Sequence, residues 1–223
     1  MPVFNEELTV RDALEGLLKT KLSLTVQVIV VDDGSWDGSV EAISNLVDDQ
    51  QVMLIRHPRN LGKGAAIRSG LARAAGTFVT ILDADLEVSP SEYEFLLEPL
   101  TTGEATVVFG TRTFGSHNAY SFWYVLGNKL LALWASFLFN TWLTDIETCF
   151  KMAPLEVWRS VNLRSQGFGF EAEVTGKFLK AGHRIFEVPI GYSARSREGG
   201  KKLRNRDGFA ALWILLRVRL FGR

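Results

Sequence analysis

Asp83, Asp85 and Glu87 place three carboxylates at alternate positions directly after the apolar run Phe78 to Leu82. If extended backbone continues through them, all three project to one side, because successive residues of a strand face opposite ways. Such a set offers hard oxygen ligands to Mg²⁺ or Mn²⁺, ions that keep several waters and bind a substrate's phosphates as well. Without a cation, three adjacent charges would repel and raise one another's pKa. A single Asp after a strand is also an ordinary turn or cap residue. A second cluster, Asp32-Asp33, follows the apolar run Val26 to Val31, so two acidic clusters end two strand-like segments.

Asn60-Leu-Gly-Lys-Gly64 invites comparison with a phosphate-binding P-loop, but Lys63 is followed by Gly64 and the position five before Gly62 is His57. The Gly-x4-Gly-Lys-Ser/Thr pattern is absent, which disfavours a kinase or ATPase of that type. The glycines either let a nucleotide approach a helix N-terminus near Lys63 or form a plain loop-to-helix turn. His57, His117 and His183 do not cluster with carboxylates and read as surface or loop residues. Cys149 is the only cysteine, so no intramolecular disulfide and no Cys-based zinc cluster is expected.

The elements that must hold these groups alternate. Val26 to Val31, Val52 to Ile55, Phe78 to Leu82 and Ala105 to Phe109 read as strands, and helical patterns run over Glu7–Leu18, Ser39–Val47, Lys63–Ala75 and the stretch after Pro90. Such alternation predicts an α/β domain with a mostly parallel sheet flanked by helices. Ligands bind beyond the carboxyl ends of such strands, where both acidic clusters lie.

The second half differs. Phe122 to Leu143 is almost wholly apolar, with Lys129, Ser136 and Asn140 on one helical face. Its length permits a membrane span, but the polar stripe favours an amphipathic helix that is buried or lies in the interface. Residues 1–194 carry 16 Lys and Arg against 23 Asp and Glu, whereas 195–223 carry 9 against 2. Phe209 to Leu216, flanked by arginines and too short to cross a bilayer, suits a basic amphipathic C-terminal helix on an anionic membrane surface; an ordinary packed helix is the alternative. Nucleic acid is disfavoured, since the basic charge sits in one short segment with no recognised module. The first residues show no basic stretch leading into an apolar run, so no secretory leader is expected.

Pro2-Val-Phe-Asn-Glu-Glu7, Val31-Asp-Asp-Gly-Ser-Trp-Asp-Gly-Ser39, Asn60 to Gly64, Asp83-Ala-Asp85, Gly110-Thr-Arg112, Thr144-Asp-Ile-Glu-Thr148 and Phe168-Gly-Phe-Glu171 occur in order along the chain. This ordered set resembles the family 2 glycosyltransferases, most closely the dolichyl-phosphate mannosyltransferase and polyprenyl-phosphate glycosyltransferase branch. The resemblance implies a GT-A nucleotide-diphospho-sugar transferase fold spanning residues 1–200, with 201–223 as a membrane-associating segment. It implies inverting transfer of a sugar, mannose or glucose, from a nucleoside-diphosphate sugar to a polyprenyl or dolichyl phosphate at the cytoplasmic face of a membrane. Pro2, Phe4, Glu6 and Asp33 would line the base and ribose pocket, with Lys63 beside the donor. Asp83, Asp85 and Glu87 would bind the diphosphate through Mg²⁺ or Mn²⁺. Arg112, Arg197 and Lys201 would neutralise the lipid phosphate or the leaving diphosphate. Asp145 would position acceptor or sugar, or act as base toward a hydroxyl; its alternative is to cap a helix beginning near Glu147. Residues 192–201 resemble the family's mobile loop.

Relatives with this pattern carry an apolar strand immediately before the Pro-x-Phe-Asn-Glu motif. Here Met1 directly precedes Pro2, so a sheet position is expected to stand unfilled, leaving neighbouring backbone groups without partners. Two rival readings remain: a family 2 transferase acting on a saccharide or protein hydroxyl, and a truncated, inactive nucleotide-binding domain.

Overall fold

The computed structural model describes residues 1–48, 50–115, 117–118, 122–167, 169–193 and 205–222. Its strands are β1 (Pro2–Val3), β2 (Val28–Asp32), β3 (Val52–Arg56), β4 (Phe78–Val79), β5 (Val107–Thr111), β6 (His117–Asn118), β7 (Lys151–Pro154), β8 (Ile185–Pro189) and β9 (Tyr192–Ser193). Its helices are α1 (Val10–Lys19), α2 (Ser39–Ile43), α3 (Lys63–Arg73), α4 (Tyr93–Thr101), α5 (Phe122–Phe139), α6 (Leu155–Ser160), α7 (Phe170–Lys180) and α8 (Asn205–Phe221).

β2 forms because Val28-Ile-Val-Val31 is β-branched and covered on both faces, which suits a central parallel strand. It pairs in parallel with β1 and β3, Val30 opposite Leu54. A second sheet has the order β4-β7-β5-β8, in which β7 runs antiparallel to both neighbours and β5 runs parallel to β8. Leu14 and Leu17 of α1 and Leu96 and Leu97 of α4 pack on one side of this arrangement. Ile67 of α3, Trp158 of α6 and Phe170, Val174 and Phe178 of α7 form a core on the other. The parallel α/β expectation therefore holds, with β7 as its antiparallel member.

The expected gap at the start of the sheet is partly filled. Pro2–Val3 pairs with β2, and the Met1 amine donates to the Ile29 carbonyl at 2.8 Å. Beyond it the two sheets are separated by a cavity of about 450 Å³, lined by Val28 and Ile29 on one wall, Phe78 and Thr80 on the other, and Ala66 and Leu97. Thr80 Oγ1 is buried there without a hydrogen-bond partner among the described residues. Burial pushes the Met1 amine down to about 5, with the Asp83 charge opposing that shift.

Phe78 to Leu82 does not form the full strand expected of it. Only Phe78–Val79 pairs, with Ala153 and Pro154, because the other edge faces the cavity. α5 stops at Phe139 rather than Leu143, since Asn140 takes a left-handed φ of 51°. The polar stripe divides: Lys129 and Asn140 are exposed, while Ser136 is buried, donating to Ala132 O and accepting from Leu143 N. α8 is one continuous helix packed along α5 and α7, and Trp134 Nε1 donates to Leu212 O at 3.2 Å.

Candidate functional site

The carboxyl ends of β1 and β2 are stitched together by short polar side chains. Asn5 takes a left-handed φ of 52°, its N–H donates to Ser35 Oγ, and its Oδ1 accepts from Trp36 N. Glu7 N donates to Asp37 Oδ2 while Glu7 Oε2 accepts from Gly38 N. These reciprocal bonds fix Phe4 against Trp36, whose rings meet edge to face at 5.1 Å. Trp36 is 79% exposed, so the pair presents an aromatic surface at the sheet edge where ligands bind. Glu6 lies at the start of α1, its carboxylate accepting from Thr9 Oγ1.

Asp33 is turned inward. Its Oδ1 accepts from Leu61 N and contacts His57 Nδ1 at 2.7 Å, and its Oδ2 accepts from Gly62 N at 2.7 Å. It anchors the 60–64 loop rather than opening onto a pocket. His57 is correspondingly not a surface residue: its side chain is 9% exposed and Nε2 lies 2.9 Å from Ser69 Oγ. A histidine just after β3, at the same edge as Asp33, was the available signal, because the two segments are parallel neighbours. Asp32 is the acid with spare capacity. Its Oδ1 accepts from Ser35 N, while buried Oδ2 lacks a hydrogen-bond partner among the described residues, with Arg56 Nε at 3.6 Å.

The glycines of the same loop meet protein backbone. At Gly62, φ 95°, a Cβ would stand 2.3 Å from Gln166 O, and at Gly64 one would stand 2.1 Å from Ser165 O. Gly64 N donates to Gln166 O, so α3 begins pressed against residues 165–166.

Lys63, the first residue of α3, reaches into the cleft. Its Nζ donates to Asp83 Oδ2 at 2.8 Å and lies 3.0 Å from Glu171 Oε1. Glu171 also accepts from Lys151 at 2.6 Å, and Lys151, fully buried, donates to the carbonyls of Ile146 and Thr148. Four alternating charges thus link the first acidic cluster residue to the 144–148 segment. Burial draws the Lys63 pKa down, but Asp83 and Glu171 outweigh it and hold it well above the ordinary lysine value.

The alternate-carboxylate geometry expected of Asp83, Asp85 and Glu87 does not form. Regular strand ends at Val79 and Leu86 turns left-handed at φ 60°, so the side chains do not share a strand face. Asp85 Oδ1 accepts from Glu87 N, and Glu87 Oε2 accepts from Tyr192 Oη at 3.0 Å. Among the described residues no three His, Cys, Asp or Glu side chains form a ready cation cage. Asp83 and Asp85 still give two hard oxygen donors, with the Lys63 ammonium already standing beside Asp83 as a cation. This donor chemistry fits a divalent ion whose shell is completed by water and diphosphate oxygens.

Arg112, just past β5, spends its planar fork on Asp145: Nε to Oδ2 at 2.6 Å and Nη2 to Oδ1 at 2.8 Å. Its guanidinium lies over the Tyr192 ring at 5.0 Å, which extends the chain Asp145–Arg112–Tyr192–Glu87. Asp145 is fully buried and also accepts from Asn128 Nδ2, while Glu187 holds the backbone N–H groups of Thr144 and Asp145. No helix begins near Glu147, so Asp145 caps none, although its Oδ1 accepts from Glu147 N. Glu147 was missed in sequence. Burial, with Glu171 nearby, pushes it up to about 7, and its Oε1 is buried without a hydrogen bond among the described residues. Arg197 and Lys201 lie outside the described residues, as does most of the expected mobile loop.

Comparison with known proteins gives this site its class. Residues 1–153 match the family described as Glycosyl transferase family 2. The undecaprenyl-phosphate 4-deoxy-4-formamido-L-arabinose transferase of Proteus mirabilis is 37% identical over 116 residues, covering 50% of this chain and 35% of that protein. An uncharacterized glycosyltransferase of Haemophilus influenzae is 32% identical over 115 residues, 51% of this chain and 46% of the relative. The matched stretches thus span less than half the length of these relatives. Glucosyl-3-phosphoglycerate synthase of Mycobacterium tuberculosis with bound UDP superposes with a TM-score of 0.74 at 21% identity, covering 98% of this chain and 78% of that one. The same enzyme with Mn²⁺, UDP and glucosyl-3-phosphoglycerate gives 0.73 at 21% identity, covering 98% and 77%. The fold is GT-A, and the chain belongs to glycosyl transferase family 2.

Proposed function

We propose that the protein is a divalent-cation-dependent glycosyltransferase that moves a sugar from a nucleoside-diphosphate sugar to a polyprenyl phosphate at a membrane surface. The observation that carries the acceptor is the outer face of α5 and α8. Phe122, Trp123 and Phe137 on α5, and Phe209, Trp213 and Phe221 on α8, are each 62% or more exposed. The opposite side of α5, at Leu131, Ala132, Ala135 and Ser136, is buried in the protein. α5 is long and apolar enough to cross a membrane, but with one side packed and the other aromatic it suits lying in the interface. Arg217 and Arg219 of α8 suit the anionic headgroups beside it.

For the donor, the Phe4–Trp36 pair and the Asp32 carboxylate face the base and ribose, and Asp83 and Asp85 hold the cation on the diphosphate. The cation would neutralise charge on the departing nucleoside diphosphate. An acceptor phosphate is already anionic at neutral pH, so the chain's main task is to bring two repelling anions into line. That agrees with Asp145 being tied to Arg112 rather than free to act as a base. The relative from Proteus mirabilis, named for undecaprenyl phosphate, supports the acceptor class; the structural neighbour with Mn²⁺ and UDP supports the cation and the donor.

Purified protein incubated with labelled sugar nucleotides, Mg²⁺ or Mn²⁺, and polyprenyl phosphate in detergent should yield labelled lipid. Product only with a soluble phosphorylated acceptor or a saccharide hydroxyl, or no product across a donor panel, would reject the lipid acceptor.

A further inference from the structure

We propose that Lys63 is a displaceable internal cation: it holds Asp83 until a divalent ion binds there, and Glu171 is the seat to which its ammonium then retreats. This rests on the reading of Asp83 as a cation ligand.

Three observations meet at this point. Lys63 Nζ makes its hydrogen bond to Asp83 Oδ2 at 2.8 Å, yet stands only 3.0 Å from Glu171 Oε1. That Glu171 oxygen is buried and accepts no hydrogen bond among the described residues, so its contact with Lys63 is an ion contact out of bonding direction. A buried carboxylate oxygen without a donor is costly. The cation nearest to it is Lys63, whose ammonium is now turned to Asp83. Third, Glu171 is held in place independently of Lys63, by Lys151, which is itself fixed to the carbonyls of Ile146 and Thr148.

The charges set the direction of the exchange. Asp83, Lys63, Glu171 and Lys151 alternate in sign and sum to zero, which suits a site with a 6% exposed glutamate and an 18% exposed lysine. A divalent ion at Asp83 and Asp85 places two positive charges beside the ammonium. Repulsion drives Lys63 off Asp83, and Glu171 receives it over a short swing with no buried charge left unpaired. Lys63 therefore competes with the ion, and Glu171 relieves that competition.

The test measures Mn²⁺ affinity of the full chain by calorimetry, with Mn²⁺ alone and with Mn²⁺ plus UDP or GDP. Lys63→Met should bind Mn²⁺ alone about fivefold or more tighter than wild type, and Glu171→Gln about fivefold or more weaker, a range normal for coupled sites. Because Glu171→Gln strands the Lys151 charge, the double variant Glu171→Gln/Lys151→Met serves as well, and melting curves establish that each is folded. Wild type that binds Mn²⁺ while both variants move in the same direction, or not at all, overturns this proposal and leaves the metal reading standing. Wild type that binds no Mn²⁺ under either condition overturns both.

Discussion

Arg112 closes a two-point contact on Asp145, Nε to Oδ2 at 2.6 Å and Nη2 to Oδ1 at 2.8 Å, across a carboxylate that is fully buried. Removing one partner leaves a buried charge uncompensated, so Asp145→Asn and Arg112→Ala should each lose roughly 3–5 kcal/mol of stability. Arg112→Lys keeps the charge without the fork and should lose less. Burial alone would raise the Asp145 pKa, but Arg112 outweighs it and holds the carboxyl below its ordinary value. A depressed carboxylate contributes stability above its unfolded pKa of about 4, and that contribution fades as pH falls through the folded value. Urea unfolding should show wild type and Arg112→Lys converging in stability as the solution is made acidic.

Glu147 behaves in the opposite sense. Its carboxyl is raised to about 7 by burial and by Glu171, so between about pH 4.5 and 7 the native state keeps a proton that the unfolded chain releases. Stability should fall as pH rises through that window. Glu147→Gln should melt near wild type at pH 4.5 and higher than wild type at pH 8, by on the order of 1–3 kcal/mol. Equal melting temperatures at pH 8 would refute the assignment.

Asp85 and Glu87 should separate in kinetics. Asp85→Ala should abolish transfer at any Mn²⁺ concentration with an unchanged melting curve. Glu87→Gln keeps an acceptor for the Tyr192 hydroxyl and should lose about tenfold or less in kcat. Equal loss in both would restore Glu87 as a full cation ligand.

The cavity between β2 and β4 should accept chain. Joining about five apolar β-branched residues to the Met1 nitrogen should raise Tm, because they can pair with the facing edges of β2 and β4 and bury apolar surface worth ~25 cal/mol per Å². It should also remove a pH dependence. Burial holds the Met1 amine at about 5, against an ordinary value of 8.0, so its own contribution to stability rises with pH from 5 to 8. The extended chain should lose that contribution, leaving the opposite slope that Glu147 sets below pH 7. An unchanged Tm and slope would show that the cavity does not take a strand.

Trp213 and Phe137 lie on the exposed faces of α8 and α5, at 62% and 75% exposure. Trp213→Glu and Phe137→Glu should weaken flotation with anionic phospholipid vesicles about tenfold or more each, with little change in melting. Undiminished flotation would place the membrane contact elsewhere.

Much of this molecule is legible in its sequence because the signals are local. The β-branched run of Val28 to Val31 becomes β2 with Asp32 at its end, and Lys63 to Arg73 becomes α3, since periodicity and side-chain branching act over a few residues. The apolar length of α5 is equally local, whereas the face it turns outward is set by packing against α7 and α8. What each charged side chain holds is not local either. Asp33 turns to His57, 24 residues on; Arg112 takes Asp145, 33 residues on; Lys63 stands between Asp83 and Glu171. Residue types and spacing suggested three carboxylates on one strand face, and the family resemblance implied an arginine open to phosphate. Only tertiary packing decided that Leu86 turns the backbone left-handed, that Glu87 takes Tyr192, and that Arg112 is occupied, because an ion pair depends on which distant segments burial brings within about 3 Å.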